Sequence, residues 1–225
     1  GAETKLIVVY HTHSDESYLP TSGTASKKGR GDILKVGADF ASALREEGFK
    51  VVHDRTPHDP HDAGAYRRSR RTAFRYLDEG PFALFDIHRD TAPARTYRTH
   101  RGGETAARVL IVVGRQNPQR RANLALARKI KAIADAVHPG LIRGIFMARG
   151  SYNQDLDPAA LLFEVGTFQQ PLDEAQAGVR LLAGIIGRTF ATGPPVGKEE
   201  EGTPGERRTG GISGEGRVAG TGRRR

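Results

Sequence analysis

An open α/β fold, a mostly parallel sheet flanked by helices in a single domain, is what this sequence predicts, and three observations predict it. Runs such as Leu6-Ile7-Val8-Val9-Tyr10 and Phe82-Ala83-Leu84-Phe85 are apolar at every position rather than at alternate ones, the mark of strands covered on both faces. Strand-like runs alternate with longer segments of helical period, the pattern of βαβ units. The chain has 225 residues, enough for one such domain with a substantial core.

The elements follow in order. After the first strand, residues 20–31 form a loop rich in Gly, Ser, Thr and Lys. A helix over residues 32–47 places Ile33, Val36, Phe40, Ala41 and Leu44 on one face and stops at Gly48. Residues 49–53 are a second strand, and residues 56–64 a polar loop with Pro57 and Pro60. A basic helix over 65–78 ends before Gly80-Pro81, where the third strand begins. Val109-Leu110-Ile111-Val112-Val113 is a fourth strand. Asn117-Pro118 opens the next helix, with Leu124, Ala127, Ile130, Ile133 and Val137 on its apolar face. Strands over 141–147 and 160–165 and a helix over 171–190 complete the domain, expected to span residues 1–192. From Gly193 onward Gly, Arg and Glu dominate and apolar residues nearly vanish. A segment of that composition buries too little surface to offset its ordering entropy, so residues 193–225 are expected to be a disordered tail.

The balance of 35 basic against 26 acidic residues leaves a formal charge of +9, which favours a polyanionic partner. Nucleic acid is not expected, because the chain has no Trp and few interleaved aromatics on which bases could stack. With no cysteine, disulfides and thiolate metal sites are excluded. No segment approaches the roughly 20 apolar residues of a membrane span, and neither an anchor nor a signal peptide is visible in this sequence.

Two histidine segments sit where buried strands run out: Tyr10-His11-Thr12-His13-Ser14-Asp15-Glu16 and Asp86-Ile87-His88-Arg89-Asp90. In open α/β sheets, functional groups collect beyond the carboxyl ends of the strands. His13 and Glu16 form a His-x-x-Glu pair, and His88 supplies a third ligand from another strand. Two imidazoles and one carboxylate are a catalytic zinc set with the fourth position left for water. Residues two apart on a strand share a face, so His11 competes with His13. The compact spacing with Glu16 favours His13 and leaves His11 a supporting or substrate-binding role. Asp86 and Asp90 are supporting carboxylates, with Asp90 placed to hold the free nitrogen of a ligand histidine. Glu164, inside Leu161-Leu162-Phe163-Glu164-Val165, is the expected base, since burial raises a carboxyl toward the useful range. Arg89 is the candidate for oxyanion stabilisation. Tyr152-Asn153-Gln154-Asp155 lies in a loop suited to bonding a peptide or sugar, whereas His53, His58 and His61 read as solvent-facing.

Taken in order, Tyr10 to Tyr18 (Tyr-His-Thr-His-Ser-Asp-Glu-Ser-Tyr), Asp86 to Asp90, Tyr152 to Leu156, Leu161 to Gly166 and the helix-start Asn123 resemble the stage II sporulation protein P family. The resemblance covers about residues 6–190. It implies an amidase-like open α/β domain and a zinc-dependent N-acetylmuramoyl-L-alanine amidase that also cuts peptide crosslinks. It implies peptidoglycan as substrate, a lytic transglycosylase as partner, and action outside the cytoplasmic membrane during septal wall remodelling in engulfment. His13, Glu16 and His88 then become the Zn2+ ligands and Glu164 the catalytic carboxylate. The family motif holds both His11 and His13 and does not choose between them. Family members are usually tethered to the membrane, a feature this sequence does not display. Two rival readings are a zinc carboxypeptidase, which also uses His-x-x-Glu, a distant His and a late Glu, and a metal-free basic module that only binds wall.

Overall fold

The computed structural model describes residues 5–198 except Gly102. Its elements run β1 (Leu6–Tyr10), α1 (Leu19–Ser22), α2 (Ile33–Glu46), β2 (Lys50–His53), α3 (Ala65–Phe74), β3 (Ala83–Asp90), β4 (Arg98–Arg101), β5 (Glu104–Ala107), β6 (Val109–Gly114), α4 (Arg120–Val137), β7 (Ile142–Ala148), β8 (Ala160–Thr167) and α5 (Leu172–Ala191). The order across the main sheet is β2-β1-β3-β8-β6-β7. Neighbours are parallel except β6 and β8, which run antiparallel. The carboxyl ends of β1, β3 and β8 therefore share one edge, and the beginning of β6 joins them there.

The two faces of the sheet are covered unequally. On one, Ile7, Val9, Phe85, Ile87, Ile111, Val113, Leu161 and Phe163 pack with the apolar sides of α2, α4 and α5 in the main core. On the other, α3 lies over β1 and β3, where Ala73 packs with Leu6, Val8, Tyr10 and Leu84. Helix α3 buries only Ala65, Ser69, Thr72 and Ala73, small residues at helical spacing that let it lie close to the strands while its arginines point outward. Only Tyr66, at its start, extends toward β6 and β7. Their outer face, with that of β8, forms the floor of an open groove through Leu110, Val112, Ala148 and Leu162.

Three features depart from the sequence expectation. The β4–β5 hairpin, antiparallel from Arg98↔Ala107 to Arg101↔Glu104, was not foreseen: its exposed strands are polar and only the end at Ala106-Ala107 is buried. The basic helix stops at Phe74 and continues as a short 3-10 turn over Leu77–Glu79. Asn117-Pro118 does not open α4, which begins at Arg120; Asn117 instead donates from Nδ2 to Gly114 O across a turn, at 2.8 Å. The expected tail from 193 lies outside the described residues beyond Lys198. Lys198 itself folds back onto Asp157, with Nζ to Oδ2 at 2.6 Å. Among the described residues no helix is long and apolar enough to cross a membrane.

Candidate active site

After Tyr10 the chain leaves the sheet in a tight turn, and that turn builds the site. It is held from outside by backbone bonds: Ser17 N–H to Ala25 O at 3.0 Å, Lys27 N–H to Asp15 O at 2.7 Å and Gly31 N–H to Ser14 O at 2.8 Å. Gly31 is needed there, because a Cβ would stand 2.2 Å from Glu16 O and 2.4 Å from Asp15 C. So held, Glu16 turns its carboxylate inward. Oε2 accepts the Arg89 backbone N–H at 2.9 Å, while Oε1 lies 3.3 Å from His13 Nδ1 and 3.6 Å from His88 Nδ1.

These three side chains form a cluster that could hold a metal ion, their ligand atoms within 4.8 Å of one another. Ligands at roughly 2.1 Å around a tetrahedral zinc stand about 3.4 Å apart, so the Glu16 separations fit such an ion. Asp86 lies behind His88, with Oδ1 2.9 Å from His88 Nε2, an ion-pair contact rather than an aligned hydrogen bond. Asp86 is itself fixed by the Thr12 N–H at 2.9 Å and the Thr12 hydroxyl at 2.6 Å. The carboxylate behind His88 is thus Asp86. Asp90 does not hold the histidine, as the sequence suggested, because its Oδ2 accepts the Tyr97 hydroxyl at 2.7 Å. Burial disfavours charge throughout the cluster. The Asp86 and Glu16 carboxylates nevertheless overcome burial and raise His88 well above the ordinary histidine value. The charge on His88 and the bonds from both histidines overcome burial at Glu16 and hold its carboxyl far below the usual range.

Glu164 stands beside His88 in the β3–β8 register, so both project from the same face of the sheet. Its Oε2 is buried with no hydrogen-bond partner among the described residues. Burial pushes this carboxyl up to about 8 against the pull of His88, with Glu16 and Asp90 adding to the rise. It heads the open groove, a space of about 420 Å³. Tyr66 of α3 forms the wall nearest the metal cluster, its ring 5.6 Å from that of His13 and 6.3 Å from that of His88. Nothing in an arginine-rich helix marks this tyrosine, and sequence reasoning missed it.

His11 does not join the cluster. Strand alternation carries His11 to the face of Ile7 and Val9, under Gly37 of α2, with Nδ1 3.0 Å from Ile87 O and Nε2 2.8 Å from His53 Nε2. Burial, with the charge on His88 adding to it, lowers His11 to about 4; burial and then the charge on His11 lower His53 to about 3. His58 is buried rather than solvent-facing, spanning His11 O at 2.6 Å and Thr72 Oγ1 at 2.8 Å. His61 is exposed but stacks on His13, with centroids 3.6 Å apart. Arg89 also has a different task from the one expected. Its guanidinium donates to Ser17 O at 3.2 Å and Ala25 O at 2.6 Å, away from the groove, so it braces the Glu16 turn.

The Tyr152–Asp155 segment is divided. Tyr152 lines the groove, and its hydroxyl donates to Arg149 O at 2.7 Å. Asn153 donates to Tyr66 O and Ser69 Oγ and so ties the segment to α3. Gln154 bonds the β6 backbone on both sides, to Gly114 N–H and Val112 O, each at 2.8 Å. Asp155 takes both arms of Arg70 at 2.8 Å. Tyr152 and Asn153 both hold a positive φ, 55° and 57°, uncommon for such residues and maintained by these side-chain anchors. Asn123 ties α4 to the turn before β8 through Asp157 O and Pro158 O.

Comparison with known proteins identifies the family and the fold. Residues 2–187 match the family of Stage II sporulation protein P. The chain belongs to this family. Stage II sporulation protein P of Bacillus subtilis (strain 168) is 28% identical over 207 residues, which are 84% of the chain and 52% of the relative. The chain thus spans about half the length of the curated relative it matches. Three solved structures share the fold at low identity. The CwlD amidase of Clostridioides difficile, solved in complex with the GerS lipoprotein, aligns with a TM-score of 0.58 at 10% identity, over 84% of this chain and all of that one (100%). The catalytic domain of CwlV, an N-acetylmuramoyl-L-alanine amidase of Bacillus (Paenibacillus) polymyxa, gives 0.54 at 13%, over 84% and 100%. An N-acetylmuramoyl-L-alanine amidase of Clostridium difficile 630 gives 0.53 at 16%, over 85% and 97%. The fold is therefore the amidase-like α/β fold.

Proposed function

We propose that this chain is a zinc-dependent peptidoglycan hydrolase domain that cleaves the amide between N-acetylmuramic acid and the L-alanine of the stem peptide. One observation carries the reading: His13, Glu16 and His88 gather at the sheet edge where the unpartnered carboxyl of Glu164 opens on a groove. Membership of the sporulation family and the amidase-like fold support it. Zinc bound by the three side chains would supply a Lewis acid and lower the pKa of water there.

The chain's own residues do the rest. Asp86 fixes the His88 ring, and Arg89 and Gly31 fix the turn that carries Glu16. Glu164, ionised, takes the proton of the attacking water. As an acid of raised pKa it then returns that proton to the leaving amine as the carbon–nitrogen bond breaks. Tyr66 and the floor residues shape the groove in which the glycan and stem lie. Peptide crosslinks are a second substrate of the same site. The setting is the septal wall outside the cytoplasmic membrane during engulfment, with a lytic transglycosylase acting on the same polymer, and the chain's charge of +9 suits an anionic wall.

Mass spectrometry of soluble products from purified peptidoglycan, with and without a zinc chelator, tests the reading. Free stem peptides and stripped glycan, both lost on chelation, are expected. An intact polymer in the presence of zinc would refute the hydrolase assignment.

A further inference from the structure

The groove holds two acidic groups, Asp90 and Glu164, and among its lining residues one cation, Arg143. Arg143 reaches the groove through a register shift. Val109 pairs with Ile142 but Leu110 pairs with Gly144, so Arg143 is the extra residue of a bulge in β7. On one side of the bulge Ile142 packs into the main core, and on the other Phe146 and Ala148 face the groove. Bulges re-aim side chains in this way and cluster beside functional sites.

The guanidinium is oriented but not used up. It lies over the ring of Tyr97, 4.8 Å from the centroid, and the ring sets its plane. Its Nη1 is 3.8 Å from Asp90 Oδ2, outside hydrogen-bond distance, and that oxygen already accepts the Tyr97 hydroxyl. The side chain is 32% exposed. The nearby arginines differ: Arg89 is spent on backbone carbonyls and Arg70 on Asp155.

We propose that Arg143 forms a carboxylate-binding subsite that receives a free carboxylate of the stem peptide. A planar guanidinium held against an aromatic ring takes a carboxylate through two parallel N–H bonds. Asp90 and Glu164 would repel an acidic substrate group in this groove, and Arg143 offsets them at one point. Stem peptides keep carboxylates free wherever their amide linkages run through side chains, whereas the lactyl carboxyl of the glycan is tied up in the amide until that bond is cut. The subsite rests on the peptidoglycan reading above, and it selects the peptide rather than the sugar.

Binding of the released stem peptide, which holds no muramoyl amide and so is not an amidase substrate, tests this apart from catalysis. Isothermal titration of the zinc-loaded protein compares the peptide with free carboxylates against the same peptide with carboxamides. The native protein is expected to prefer the carboxylate form by about tenfold, the effect of one charge-assisted bond pair. Arg143→Met should bind both forms equally and weakly, and Arg143→Lys should fall between, with zinc content unchanged in each. A preference that survives in Arg143→Met, or none in the native protein, overturns the subsite. If the preference follows Arg143 but purified wall is not cut, the subsite stands and the hydrolase reading fails.

Discussion

Glu164→Gln is expected to make the zinc-free protein more stable while abolishing turnover. The carboxyl sits at about 8 in the folded chain against 4.5 as its ordinary value, with burial as the main cause. Between those two pH values the folded state binds more protons than the unfolded, so the contribution of this group to stability falls as pH rises. At pH 7.5 the deficit is about 3–4 kcal/mol, at 1.36 kcal/mol per pH unit. Glutamine keeps the shape without the charge but buries an amide lacking full hydrogen bonding, at a cost of about 1–3 kcal/mol. A net gain of about 2 kcal/mol should raise the melting temperature by about 5 °C in a chain of this size. At pH 5 the gain should vanish, since that pH lies only half a unit above the ordinary value of 4.5 and the deficit falls to about 0.8 kcal/mol. Thermal melts of the chelated native and variant proteins at pH 5 and 7.5 measure this directly. In the zinc-loaded form, loss of the proton carrier should cost about 10²–10⁴ in rate. A melting difference independent of pH would refute the buried-charge argument, and undiminished wall digestion would remove Glu164 from catalysis.

Other substitutions separate the ligands from their supports. His13→Ala should lose stoichiometric zinc by elemental analysis, whereas His11→Asn should keep it and melt lower, because His11 bonds Ile87 O and His53 rather than the cluster. The reverse result would exchange the two assignments. Asp86→Ala frees the His88 ring and should weaken zinc by about 10–100-fold in competition with a chromophoric chelator; unchanged affinity would end the orienting role of Asp86. Gly31→Ala forces a methyl group into the Asp15–Glu16 backbone, so zinc affinity and melting temperature should drop together. A drop in stability with normal zinc affinity would show that the turn relaxes without moving Glu16.

Much of this site was legible in the chain because its signals are local. Uninterrupted apolar runs marked β1, β3 and β8, the His-x-x-Glu spacing marked the turn after β1, and a lone carboxylate in an apolar run marked Glu164. The choice between His11 and His13 was less legible. It depended on strand alternation, which still holds at His11 and Thr12 but is broken by the turn before His13, so the two side chains part to opposite sides of the sheet. The arginines were harder still. Arg89 sits beside a ligand in sequence yet spends its donors on Ser17 O and Ala25 O. Arg143 has no local mark and reaches the groove only because β7 carries an extra residue against β6.

By itself the sequence determined the α/β class, the strand ends that bear the chemistry and the residue types that fit a metal, because hydrophobic period and short spacings depend on near neighbours alone. Only the tertiary structure decided that His88 and Glu164 stand side by side and that Asp86 rather than Asp90 backs His88. It also decided that α3 leaves half a sheet face uncovered as a groove. Those outcomes depend on strand order, register and direction, and these are settled by packing between segments far apart in the chain.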